Sequence, residues 1–437
     1  MNKVVILVLL LAAFTISNAQ PINNSTSTRA YAFVNGRWFD GQSFKAGTFY
    51  SVGGLLTSKK PAHIDSTLDL KGKFVVPPLG EAHNHNVEPS RIDAVVTTYL
   101  ESGIYYVKNA NNVARFTIPI RQKINIPTSI DAVFSNGGLT SSGGHPIQIA
   151  QRMIDRNMWT VADGEGGFYY TIDNQADLDR KWSTVKASKP DFIKTYLLYS
   201  EEYPKRKGDT TYAQWWGLDP VLLPIIVARA HRDGLSVSTH IESAHDFHVA
   251  VEAGVDEINH MPGFRPEKED LKMYNDLSRY EISETDASLA GRRGTRVVTT
   301  LGTSIDYLGR VEPGSPMHTM AEKVKALFVR NLQLLHKNGV RVAIGSDNYR
   351  GTSLQEALHL YKLKAFDNAT LLKLWCENTP LTIFPNRKIG RLNDGYEASF
   401  LVLAANPLDD FTNVQKIEMR VKQGEILKVH PQPSGTK

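Results

Sequence analysis

The chain has 437 residues, 41% of them hydrophobic and 22% charged, with a net charge of +5. That is too long for one ordinary domain and comfortable for a large barrel with a small attachment, and the balance excludes a disordered chain. The Lys and Arg residues are scattered, so charge gives no nucleic-acid footprint; the short runs Lys205–Lys207 and Arg292–Arg293 read as solvated faces.

Taken in chain order, the first element is a processing segment. Asn2 and Lys3 precede an unbroken apolar run from Val4 to Phe14, and Ser17-Asn18-Ala19 supplies small residues where a signal peptidase reads. Residues 1–19 are therefore expected to be a signal peptide cleaved near Ala19-Gln20, with the protein exported to the periplasm or secreted. The run is too short to anchor in a hydrocarbon core about 30 Å thick, and no later stretch reads as a membrane span. Residues 20–29 are polar and read as a flexible leader. The single cysteine, Cys376, rules out an internal disulfide and reads as a buried thiol.

From Ala30 short strands alternate with turn signals: Ala30–Val34, Thr48–Val52 and Ile64–Asp69, separated by Asn35-Gly36 and Gly53-Gly54. A matching strand-rich piece closes the chain, with Ser399–Ala404, Val414–Lys422 and Glu425–Val429. Residues 30–72 and 388–431 are expected to meet in one small β-sandwich domain. Between them, residues 73–387 alternate apolar strands with helical stretches, the signature of βαβ units. Eight strands are predicted: Phe74–Pro77, Ile104–Lys108, Ser129–Phe134, Asp191–Leu197, Leu235–Ile241, Glu257–Met261, Thr295–Thr300 and Val340–Ser346. The predicted fold is α/β, a (β/α)₈ TIM-type barrel with the β-domain beside it.

Catalytic groups of such barrels come from the C-terminal ends of strands. There the sequence places His83 and His85 (two residues apart, on one side of an extended chain), Lys194, His240, His260 and Asp347. Each alone has a plain structural reading: a core histidine, a lysine paired with a carboxylate, an aspartate capping the next helix. Together they form a metal-capable set at the ends of five strands.

This order, His-x-His, Lys, His, His, Asp on strands one, four, five, six and eight, resembles the amidohydrolase superfamily, in its imidazolonepropionase-like and prolidase-like branch. Ser141–His145 resembles that branch's strand-three loop, and Gly390–Gly395 through Leu408 its closing β-domain. Pro77-Pro78-Leu79-Gly80 stands where the family has Pro-Gly, and Glu397-Ala398-Ser399 where it has Asp-Ala-Asp. The resemblance implies two divalent metals, zinc by ligand type, bridged by a carboxylated Lys194. His83, His85 and Asp347 would hold one, His240 and His260 the other. It further implies a metal-bridging hydroxide attacking the carbonyl of an amide of dipeptide or N-acyl amino acid type, with Asp347 as proton shuttle and His145 orienting the substrate or its oxyanion. Tyr196 and Tyr199 are candidates to line the pocket or simply to pack. The Tyr199–Trp216 loop reads as a lid or a packed Ω-loop.

Other readings share the scaffold. A lactonase or esterase would use the same site. A cyclic-amidine deaminase usually places a Glu three residues past the strand-five histidine, whereas Glu242 stands two past His240. A non-catalytic binding protein would not need all six ligands. The expected partner is a small-molecule substrate, with no nucleic acid; homo-oligomerisation stays open.

Overall fold

The computed structural model describes residues 29–265 and 274–428. The expected signal peptide, all of the leader but Arg29, and the end of the closing segment lie outside the described residues.

Two parallel sheets carry the central architecture. Leu79–Asn84, Ile104–Asn109 and Asp131–Phe134 form a three-stranded one. Tyr169–Thr171, Gly138–Thr140, Ile193–Tyr196, Val237–His240, Glu257–Asn259, Arg296–Val298 and Arg341–Ala343 follow one another in a seven-stranded one. Backbone bonds continue across both gaps. Asp191 N donates to Phe134 O at 2.8 Å, Ala82 N to Ile344 O at 2.9 Å and Asp347 N to His83 O at 2.8 Å. Helices lie between the strands, among them Gln175–Ala187, Leu223–Arg232, Ala244–Ala253, Glu284–Arg293, Pro316–Lys337 and Ser353–Leu363. Ala244–Ala253 shows why they start and stop where they do. Ser243 and Asp246 form a capping box at its N-terminus, and Gly254 takes the left-handed conformation that ends it. One apolar core joins strands and helices, including Val107, Ile193, Ile258, Val297, Val342 and Phe328. Among the described residues no helix is long and apolar enough to cross a membrane.

A third, mixed sheet of eight strands is built from both ends of the described chain. Tyr31–Phe39 pairs antiparallel with Phe44–Val52, and the last strands join through Phe400–Leu403, which pairs antiparallel with Phe74–Val76. Phe33, Trp38, Val75, Phe400 and Val421 pack in its own core.

Two expectations are corrected. Phe74–Val76, read as the first barrel strand, belongs to the outer sheet; the strand that carries the His pair is Leu79–Asn84. Asn35-Gly36 does not end a strand but sits at a register shift inside Tyr31–Phe39, with Asn35 at φ 56°. The outer strands are hydrogen-bonded into one sheet whose far edge turns back, with Leu56 N donating to Tyr396 O at 2.8 Å. Cys376 is buried as expected, in the π-helical turn Leu374–Asn378.

Candidate metal centre

The strand ends bring the singled-out side chains together. His83 lies in Leu79–Asn84, Lys194 in Ile193–Tyr196, and His240 closes Val237–His240. His260 directly follows Glu257–Asn259, and Asp347 follows Arg341–Ala343. Ring centroids of His83 stand 5.0 Å from His85 and 4.7 Å from His260, and those of His240 and His260 are 4.3 Å apart. Asp347 Oδ1 is 3.3 Å from His85 Nε2 and 3.7 Å from His83 Nε2. One ligand atom each from His83, His260 and Asp347 fall within 4.8 Å of one another.

Local backbone geometry makes this convergence. His260 and Asp347 both take positive φ, 78° and 46°, which non-glycine residues seldom adopt. Each is pinned by a bond to another strand: His260 N to Val298 O at 3.0 Å, Asp347 N to His83 O at 2.8 Å. Such strain survives only where its surroundings over-determine it, commonly at functional sites. Gly345 lets the last strand close on the first, since a Cβ there would come within 2.7 Å of His83 N.

Three imidazoles have one nitrogen already held. His260 Nδ1 meets Thr300 Oγ1 at 2.6 Å, His85 Nδ1 lies 3.1 Å from Asn111 O, and His240 Nε2 lies 3.0 Å from Glu242 Oε1. The other nitrogen of each is left for a ligand, the usual arrangement around a bound metal. His83 Nδ1 is buried with no hydrogen-bond partner. Burial above all, reinforced by cationic neighbours, pushes His83, His240 and His260 well below the usual histidine range, so all three are neutral and ready to coordinate. Lys194 is 1% exposed, and burial lowers its pKa to about 7. Its electrostatic neighbours include Asp347, and its charge is felt by His83, His240 and His260. A set of neutral imidazoles, a carboxylate and a deprotonatable lysine fits a divalent transition metal.

His145 joins this group. Its ring lies 5.4 Å from His240 and 5.3 Å from Tyr196, and its backbone N donates to Trp216 O at 2.8 Å. Tyr196 is thus beside the site. Tyr199 is buried a step away, between Trp215 and the guanidinium groups of Arg206 and Arg279. Arg206, read as solvated, is instead buried and donates to Trp215 O at 3.1 Å. The loop it holds is packed, with Trp216 buried.

Sequence reasoning missed two side chains at the rim. Arg265 donates to Glu242 Oε1 through Nε (2.8 Å) and Nη2 (2.6 Å) and stacks 4.7 Å over Trp215. Its positive charge is felt by His145, His240 and His260. Tyr349 stacks on His85 with centroids 5.5 Å apart. Both lie a few residues beyond a ligand, Arg265 after His260 and Tyr349 after Asp347. Extending the strand-end search into the following loops would have found them.

A family model described as the amidohydrolase family matches residues 193–427. The chain belongs to the amidohydrolase family. This amidohydrolase is 27% identical to the ochratoxinase of Aspergillus niger over 237 residues, 51% of this chain and 44% of that protein. The match thus spans less than half of the curated relative. Among solved structures, the A. niger ochratoxinase superposes with a TM-score of 0.70 at 16% identity, covering 91% of this chain and 95% of that one. An Xaa-Pro dipeptidase with bound methionine superposes at 0.67 and 16% identity, covering 91% and 100%. Molinate hydrolase superposes at 0.68 and 15% identity, covering 94% and 99%. At these identities the likeness speaks for the fold, a TIM barrel with a β-rich domain, into which the parallel and mixed sheets fit. The family is metal-dependent, and the group His83, His260 and Asp347 is a site of the kind a metal occupies.

Proposed function

We propose that this amidohydrolase cleaves the amide C–N bond of a dipeptide or N-acyl amino acid, using two divalent cations, which we assign as zinc. The convergence of four imidazoles, Lys194 and Asp347 at one rim carries the reading. His83, His85 and Asp347 would hold one cation, His240 and His260 the other, with Lys194 carboxylated on Nζ between them. When bound, such cations polarise a carbonyl and make water acidic enough to attack it at neutral pH.

The chain's own residues supply the rest. Asp347, whose side chain is 28% exposed, is within reach of both water and substrate. It takes the proton of the attacking water and delivers it to the leaving amine. His145, with a buried unpartnered Nδ1, orients the substrate or steadies the developing oxyanion. Arg265 presents a guanidinium beside the imidazoles and receives the substrate's free carboxylate; this favours an amino-acid amide over a neutral lactone. Glu242, two residues past His240 rather than three and engaged by both His240 and Arg265, disfavours a deaminase. One structural neighbour is named as an Xaa-Pro dipeptidase, in keeping with this bond type.

The scaffold reading is a closed (β/α)₈ barrel, supported by the backbone bonds across both gaps between the parallel sheets. Residues 30–76 and 388–428 form the small β-domain beside it. The chain is exported after cleavage near Ala19-Gln20, and N-terminal sequencing of the mature protein tests this; a mature chain starting at Met1 contradicts it. For the activity, metal analysis is coupled to a screen of dipeptides, N-acyl amino acids and lactones. Amine release by a protein carrying two metal equivalents is expected. Ammonia release from purines or pyrimidines, or turnover by metal-free protein, contradicts the reading.

A further inference from the structure

Interiors of parallel barrels are normally stacked layers of branched apolar side chains. Beneath the imidazoles one layer here is polar. Lys108, Lys194, Ser238, Glu257 and Asn259 come from four strands, and all are 4% exposed or less. A buried ammonium–carboxylate pair adds little stability over an apolar replacement, so stability alone does not explain the layer.

Its bond directions suggest another purpose. Glu257 Oε1 accepts from Lys108 Nζ and from Asn259 Nδ2, each at 2.8 Å. Since Nδ2 can only donate, the carboxylate fixes which way the Asn259 amide faces. Its Oδ1 is thereby turned to Lys194 Nζ, which donates to it in a short contact, and to Ser238 Oγ at 2.9 Å.

We infer that Asn259 is a positioning residue for the carboxylation of Lys194, with Glu257 and Ser238 holding its amide. The inference rests on the proposed reading that Lys194 becomes a carbamate. In that step the neutral amine attacks the carbon of dissolved carbon dioxide and an N–C bond forms. One C=O electron pair moves onto oxygen, and one Nζ proton is lost to solvent. The carbamate nitrogen keeps a single N–H, and Oδ1 of Asn259 accepts from it. Because a carbamate is planar, fixing that N–H direction fixes the plane in which its two oxygens lie.

The test is carbon-13 NMR of full-length protein equilibrated with labelled bicarbonate, with zinc content measured on the same samples. Wild type is expected to show a carbamate resonance. Asn259→Ala is expected to need at least about tenfold more bicarbonate to reach half its carbamate signal, the loss of one buried hydrogen bond. High bicarbonate should restore its zinc content. A purely structural role for Asn259 would lower thermal stability without moving the bicarbonate dependence. Should Asn259→Ala not fold, Ser238→Ala is read in its place and should shift the same dependence in the same direction. A carbamate signal in wild type with an unchanged bicarbonate dependence in the variant overturns the inference alone. No carbamate in wild type overturns the carboxylated-lysine reading, and the inference with it.

Discussion

Asp347 Oδ1 stands 3.3 Å from Nε2 of His85, on a backbone held at φ 46° by its bond to His83 O. The last strand thus delivers its carboxylate directly onto the histidine pair of the first. Asparagine tolerates positive φ well, so Asp347→Asn keeps the backbone and removes only the proton acceptor. Normal folding is expected, with kcat lowered by roughly 10²–10⁴-fold, the usual worth of a positioned acid–base group. Steady-state kinetics with circular dichroism checks it, and near-normal turnover would dismiss the shuttle.

Lys194→Ala removes a buried amine whose charge is felt by His83, His240 and His260. Loss of bound metal is expected, with partial recovery when a short-chain carboxylic acid is supplied to replace the carbamate. Elemental analysis with and without added acid decides this. Two metals retained by the unsupplemented variant would count against the bridge.

Much of this site is legible in the sequence because one rule, ionisable residues at strand ends, suffices for His83, His85, Lys194, His240, His260 and Asp347. The rule misplaced the first strand because Phe74–Val76 is the more apolar run. The true strand, Leu79–Asn84, carries Glu81 and Asn84, and it is polar because it faces the site and bonds Ser346. Arg265 escaped because it lies on a loop, where no periodicity marks it. Arg206 was misjudged because its neighbours Lys205 and Lys207 are charged too; only the fold shows that Tyr199 and Tyr212 cover its guanidinium. The polar layer around Asn259 left no trace because a strand with scattered polar residues reads as a half-exposed one.

Metal-free protein has a predictable pH dependence. His83, His145, His240 and His260 are all held well below the ordinary histidine value of about 6.5, chiefly by burial. Below that pH the unfolded chain takes up protons at these rings while the native form does not. Stability therefore rises with pH through this window and is lost on acidification. The Tm of chelator-stripped protein should fall steadily as pH is lowered from about 7.5 to about 5.5. A flat profile would mean that these rings take up protons equally in the native and unfolded states.

Arg265→Lys keeps a cation beside Glu242 but loses the planar fork that pairs with a carboxylate. KM for dipeptides or N-acyl amino acids is expected to rise about tenfold or more, with a much smaller change for the same substrates amidated at the carboxyl end. Equal effects on both series would place the substrate carboxylate elsewhere.

Crystals grown with zinc and measured on both sides of its absorption edge would locate the cations directly. Two anomalous peaks are expected, one among His83, His85 and Asp347 and one between His240 and His260, with density joining Lys194 Nζ to both. Peaks elsewhere, or an empty cage with Lys194 unmodified in active protein, would contradict the central claim.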